Sequence, residues 1–123
     1  MNTNTIKNQF ARMGARFEVV HQENARRGAD YALDLSVDRR GQYFELRVPI
    51  IVAPALELTV QVQPRHRHLV LLVKKPQTKD RFLCGHDERE WFVAAVPGVA
   101  TTVAQAQQAL KPEAIRLAET RGA

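Results

Sequence analysis

The stretch "DYALDLSVDRRGQYFELRV", Asp30 to Val48, constrains this chain more than any other. Tyr31, Leu33, Leu35 and Val37 alternate with Asp34, Ser36 and Asp38, and Phe44, Leu46 and Val48 alternate with Tyr43, Glu45 and Arg47. Alternation with a period of two marks strands that bury one face. The "DRRG" between them reads as a tight turn, with Asp at its start and Gly at its end. The pattern therefore predicts an antiparallel hairpin whose register is set by its apolar faces, because a slip of one residue would turn every apolar side chain outward. Leu35 then lies opposite Phe44, Leu33 opposite Leu46, Tyr31 opposite Val48, and Asp34 opposite Glu45.

Around this hairpin the other elements follow from the same periodicities. Ile6, Phe10 and Met13 share one helical face, with Thr3, Asn4 or Thr5 to cap the start and Gly14 to end the helix. "ARFEVVHQ" reads as a strand and "ENARRGA" as a loop carrying Arg26 and Arg27. "PIIVAPA" is bounded by prolines and is a connector or an edge segment. "LELTVQVQ" places Leu56, Leu58, Val60 and Val62 inward, "PRHR" turns the chain, and "HLVLLVKK" is apolar on both faces, as a strand covered on both sides would be. "DRFLCG" and "EWFVAAV" form a last hairpin around His86 to Arg89. Beyond Pro97, "TVAQAQQAL" and "PEAIRLAET" have helical spacing, broken at Lys111-Pro112.

The expected fold class is α+β: residues 1–123 as a single domain, with a meander-like antiparallel sheet of six to seven strands, one N-terminal helix and two short C-terminal helices. The terminal helices are the natural cover for the two-sided strand. One Cys excludes an intrachain disulfide and suits a reducing, cytoplasmic setting. No run approaches the roughly 18 apolar residues of a membrane span, and "MNTNTIKNQF" lacks the apolar region of a secretory signal, so no membrane partner is expected.

Charge points to where a ligand could sit. The formal net charge is +5, and 13 of the 18 basic residues are Arg, the side chain suited to planar recognition of phosphate or carboxylate. In a meander, alternate turns lie at one end of the sheet. That would gather Arg39, Arg40, Arg65, His66, Arg67, His68, His86 and Arg89 at one rim, partly offset by Asp38, Asp87 and Glu88, with Lys74, Lys75 and Lys79 at the other. Such a rim fits an anionic partner, either nucleic acid or an acidic protein surface. The plainer alternative is that hairpin tips are polar because they are solvated.

Three enzymatic or metal readings compete with it. His66, His68, Cys84 and His86 are N and S donors of the kind zinc takes, but H-x-H with C-x-H matches no familiar finger, so no metal and no cofactor is expected. Cys84 and His86 share a strand face, as a thiol nucleophile and its base would, although a lone Cys in an apolar strand is ordinarily a small core residue. Asp34 and Glu45 with Arg47 resemble the Asp…(D/E)-x-K pattern of metal-dependent nucleases, with Arg where that pattern has Lys. A third class of function is a structural subunit of a homo-oligomer, pairing through "PIIVAP".

"RFLCGHDEREWFVAAVPG", with "ALKP" about a dozen residues later and "GQYFELRVP" before it, resembles a family of small uncharacterised bacterial proteins that share a FLCGHDExxWFVAAVP-type segment. The likeness spans Tyr31 to Pro112 and implies a bacterial-type soluble protein with no established activity. The expectation is a small non-enzymatic binding or accessory module that engages an anionic partner through the Arg/His rim.

Overall fold

A computed structural model describes residues 2–97 of the chain. Helix α1 spans Thr3–Arg12, and strands follow at β1 Phe17–Gln22, β2 Ala32–Asp38, β3 Gly41–Pro49, β4 Glu57–Arg65, β5 His68–Lys74, β6 Lys79–His86 and β7 Trp91–Ala95. A 3-10 turn at Ala53–Ala55 links β3 to β4. The described residues are thus mostly strand with one α-helix, and the pairing is mostly antiparallel. The helices expected over "TVAQAQQAL" and "PEAIRLAET" lie outside the described residues.

The expected single meander is replaced by two sheets, one of three strands in the order β1-β3-β2 and one of four in the order β4-β5-β6-β7. β1 runs parallel to β3, with Phe17 beside Phe44 and Val19 beside Leu46. The physical reason is that the loop 23–31 carries β2 past the place next to β1, and β3 then fills the gap between them. A short connection therefore does not make neighbours here. The four-stranded sheet is a true meander.

The two sheets bury one main core. Ile6, Phe10 and Met13 from α1 meet Phe17 of β1, Phe44, Leu46 and Val48 of β3, Leu56 and Leu58 at β4, and Leu69, Leu71 and Val73 of β5. Phe10 stacks on Phe17 with ring centroids 4.8 Å apart and tilts against Phe44 at 5.0 Å. Aromatic pairs of this kind add about 0.5–1.5 kcal/mol beyond the area they bury. α1 packs on β4 and β1, edge strands of different sheets, and at the opposite seam β2 comes close to β7. The helix starts at Asn2 without a side-chain cap, one residue before the expected capping positions, and it ends at Met13 followed by Gly14 at φ +84°. That left-handed turn is the conformation glycine adopts without penalty.

β5 is apolar on both faces as expected: Leu69, Leu71 and Val73 join α1 in the main core, and Val70 on the other face packs with Leu83, Val96, Val62 and Phe92 in a separate small cluster. One further expectation is corrected. Val62 belongs to this cluster and not to the main core, because the β4–β5 register shifts between Val60 and Val62. A bulge of this kind flips the face of everything beyond it. Of the two readings of "PIIVAPA", the connector holds: after Pro49 it forms a turn and the 3-10 segment between β3 and β4, with Ile51 89% exposed.

Candidate anion-binding end

Three turns meet at one end of the fold. They are Arg39–Arg40 between β2 and β3, His66–Arg67 between β4 and β5, and Asp87–Glu90 between β6 and β7. Their contacts are local and specific. The His86 N–H donates to the Arg67 carbonyl at 3.1 Å, and the Trp91 N–H donates to Gln42 Oε1 at 3.1 Å, tying the four-stranded sheet to β3. Trp91 sits edge-to-face with Phe44, centroids 5.8 Å apart, and with His86 at 4.8 Å. The Arg67 guanidinium lies over the Trp91 ring, 4.8 Å from its centroid.

The acids in these turns shape them. Asp38 Oδ1 accepts from the Arg40 N–H at 2.9 Å and from Arg16 Nη2 at 2.7 Å. The Arg16 hydrogen bond is the chief reason the Asp38 carboxyl is held below the usual carboxylate range. Asp87 Oδ1 accepts from the backbone N–H groups of Arg89 and Glu90, each at 2.9 Å, and those bonds lower its pKa, that of Glu90 first. "CGHDER" is thus divided: Cys84, Gly85 and His86 belong to β6, and only the residues from Asp87 make the tip.

The hairpin tip at His66 and Arg67 has φ of 51° and 61°. Two successive residues in the left-handed region, with Arg65 paired to His68, make a two-residue turn of the type that ordinarily takes Asn-Gly. Neither residue here is Gly or Asn, so the backbone carries strain that a sequence free to optimise its turn would lose.

The basic side chains differ in whether a carboxylate holds them, and those without such a partner among the described residues include Lys74, Lys79 and Arg81 on β5 and β6 as well as the arginines of the three turns. Lys7 pairs with Glu18, Arg16 with Asp38, Arg47 with Glu45 and Asp34, and Lys75 with Asp30 and Asp80. No carboxylate among the described residues pairs with Arg12, Arg39, Arg40, Arg65, Arg67 or Arg89. At the far end Lys75 is neutralised and lies over Tyr31, whose hydroxyl donates to Asp80. Burial first, and then that bond, pushes the Tyr31 pKa up.

Two open depressions adjoin Gly14. One, about 570 Å³, is bordered by Lys7, Arg16, Arg40, Gln42 and Trp91; the other, about 470 Å³, by Arg12, Pro64, Arg65, His66 and Arg67. Sequence reasoning missed Arg12, Gly14 and the Trp91 setting, because nothing in their spacing links a helix end to two hairpin tips. It also missed Gly85. A Cβ there would stand 2.2 Å from the His68 ring, which is tilted against Phe92 with centroids 5.7 Å apart.

The remaining candidates are dispersed. His68 sits on the face of Gly85 and Phe92, and Cys84 and His86 sit on the other face of the same sheet, so the four zinc-type donors do not converge. No group of three metal-binding side chains occurs among the described residues. Cys84 is fully buried in the main core, and burial raises its thiol pKa, the reverse of what a nucleophile needs. Asp34 and Glu45 are opposed as expected, and Arg47 bridges them at 3.3 Å and 3.0 Å, while the Tyr43 hydroxyl donates to Glu45 at 3.0 Å.

Comparison with known proteins adds no assignment: no family model matches the chain, and no match is found among curated proteins or solved structures.

Proposed function

We propose that this protein is a small non-enzymatic binding module that holds an anionic partner at the end formed by the three turns. The observation that carries this reading is the division of the cations. Lys7, Arg16, Arg47 and Lys75 are paired with carboxylates, whereas Arg40, Arg65 and Arg67 border two adjoining depressions at one end, with Arg39 beside Arg40 in its turn, and none of these four has such a partner among the described residues. Unpaired Arg forks beside concave surface are the arrangement that phosphate and carboxylate groups satisfy. The strained tip supports the reading, since strain persists where a side chain is needed in a set place. Replacing Arg39, Arg40, Arg65 and Arg67 together by Ala removes binding to anionic ligands on this account, with the fold kept. Unchanged retention of the quadruple variant on an anionic matrix counts decisively against it.

Self-association is a second reading, favoured by one observation. Ile50 and Ile51 are 48% and 89% exposed in the turn after β3, and Val20 on β1 is 41% exposed. Exposed aliphatic side chains at one connection suit contact with another chain. Light scattering across a concentration series decides it, a monomer throughout being the result against.

A further inference from the structure

The anion-binding end has an internal order that narrows its ligand. Both depressions share Gly14 as a bordering residue, so they adjoin across it. Gly14 is exposed, and a Cβ built on it would meet nothing within 4 Å, so the ground between the depressions is open to close approach by a ligand. Arg12 and Arg65 lie on one side and Arg40 on the other. Arg67 joins the two sides: it borders the second depression, and its guanidinium lies over Trp91 in the wall of the first.

We infer that the partner is a single strand of nucleic acid, laid across Gly14 with phosphates on Arg12, Arg65 and Arg40 and a base against the Trp91–Arg67 stack. The inference rests on the anion-binding reading and adds the class of ligand and its path. Several guanidinium groups with no carboxylate partner among the described residues, spread over two adjoining depressions, match a repeating polyanion better than one isolated phosphate. An acidic protein segment would satisfy the same charges, but its carboxylate side chains offer no flat surface to an indole. A nucleobase does, and aromatic and Arg planes are the platforms on which unpaired bases stack. Trp91 is half-buried in the cleft wall, so a base has to come to it; a duplex keeps its bases stacked within itself.

The full chain has one Trp, so Trp91 fluorescence reads the contact directly. The probes are an oligothymidylate of about 12 nucleotides, within the span of small single-strand-binding folds, the same oligomer in a duplex, and polyglutamate of equal charge. The inference expects the single strand to quench Trp91 and to bind at least about tenfold tighter than duplex or polyglutamate, the scale of one base stack. It also expects Arg12→Ala, on an exposed helix position outside the three turns, to weaken that binding severalfold. Equal binding of oligothymidylate and polyglutamate without quenching, or tighter binding of the duplex, overturns the inference and leaves the anion-binding reading standing. No binding of any of the three probes removes both.

Discussion

The Arg67 guanidinium lies 4.8 Å from the centroid of the Trp91 ring, and Arg67 holds that place from a left-handed backbone at φ 61°. The contact and the strain belong to one residue. A substitution that relaxes the backbone at Arg67 also removes the side chain that covers the indole.

This pairing makes the order of two substitutions informative. Arg67→Ala keeps the left-handed penalty and loses the cation–π contact, worth about 0.5–1 kcal/mol. Arg67→Gly loses the same contact but relieves about 1–2 kcal/mol of strain against about 0.5–1 kcal/mol of added chain entropy. Chemical denaturation is expected to find the Gly variant more stable than the Ala variant by about 0.5–1 kcal/mol, the reverse of their usual order in regular structure. Both variants lose the stacked guanidinium and bind anions more weakly.

Gly85 and His68 are coupled by contact. Gly85→Ala drives a methyl group into the His68 ring, which must leave Phe92 and its 2.7 Å bond to the His66 carbonyl. The expected cost is about 1–3 kcal/mol, as for overpacking elsewhere. His68→Ala in the same chain should recover most of that loss, and strictly additive losses in thermal or urea unfolding would show that the two side chains do not collide.

Arg47 explains how Asp34 and Glu45 stay opposed. Its removal as Arg47→Leu leaves two carboxylates face to face on neighbouring strands, at a cost of about 1 kcal/mol near neutral pH. Asp34→Asn added to that variant should restore most of the stability. An Asp34→Ala variant that abolishes a metal-dependent nuclease activity would instead assign these carboxylates to catalysis.

Acid should weaken the turns. Asp30, Asp38 and Asp87 all have pKa values below the ordinary 3.8, through Lys75, Arg16 and the backbone N–H groups of Glu90 and Arg89 respectively. A carboxyl depressed in the folded state contributes stability that is present above its unfolded pKa and is lost as pH falls through the folded one. The melting temperature is expected to hold from about pH 7 to pH 5 and to fall below about pH 4. A melting temperature that rises on acidification through this range would contradict the assignment.

The first hairpin was legible because both of its strands alternate cleanly, and Leu35 does pair with Phe44, Leu33 with Leu46 and Asp34 with Glu45. Helix α1 was legible from Ile6, Phe10 and Met13 and from the glycine that ends it. The parallel place of β1 was not, since the Phe17 and Val19 alternation suits either direction of pairing. Nor was the bulge that moves Val62 to the other face, because the alternation of "LELTVQVQ" carries no glycine to mark it. The rim of charged turns was expected from a single meander, whereas the Arg39–Arg40 turn belongs to one sheet and the other two turns to the second. The aromatic centre of the rim was not legible, because Trp91 is joined to Arg67 and Gln42 only through tertiary packing.

The most direct test of the central claim is the salt dependence of oligothymidylate binding by the full chain. Phosphates held on Arg12, Arg40 and Arg65 release counterions, so the logarithm of the affinity should fall linearly with the logarithm of salt, with a slope of about −0.7 per phosphate contacted and roughly −2 for three. Each Arg→Ala substitution in that set should make the slope shallower by about 0.7. An affinity that stays flat with salt, or a slope that the three substitutions leave unchanged, would contradict the account.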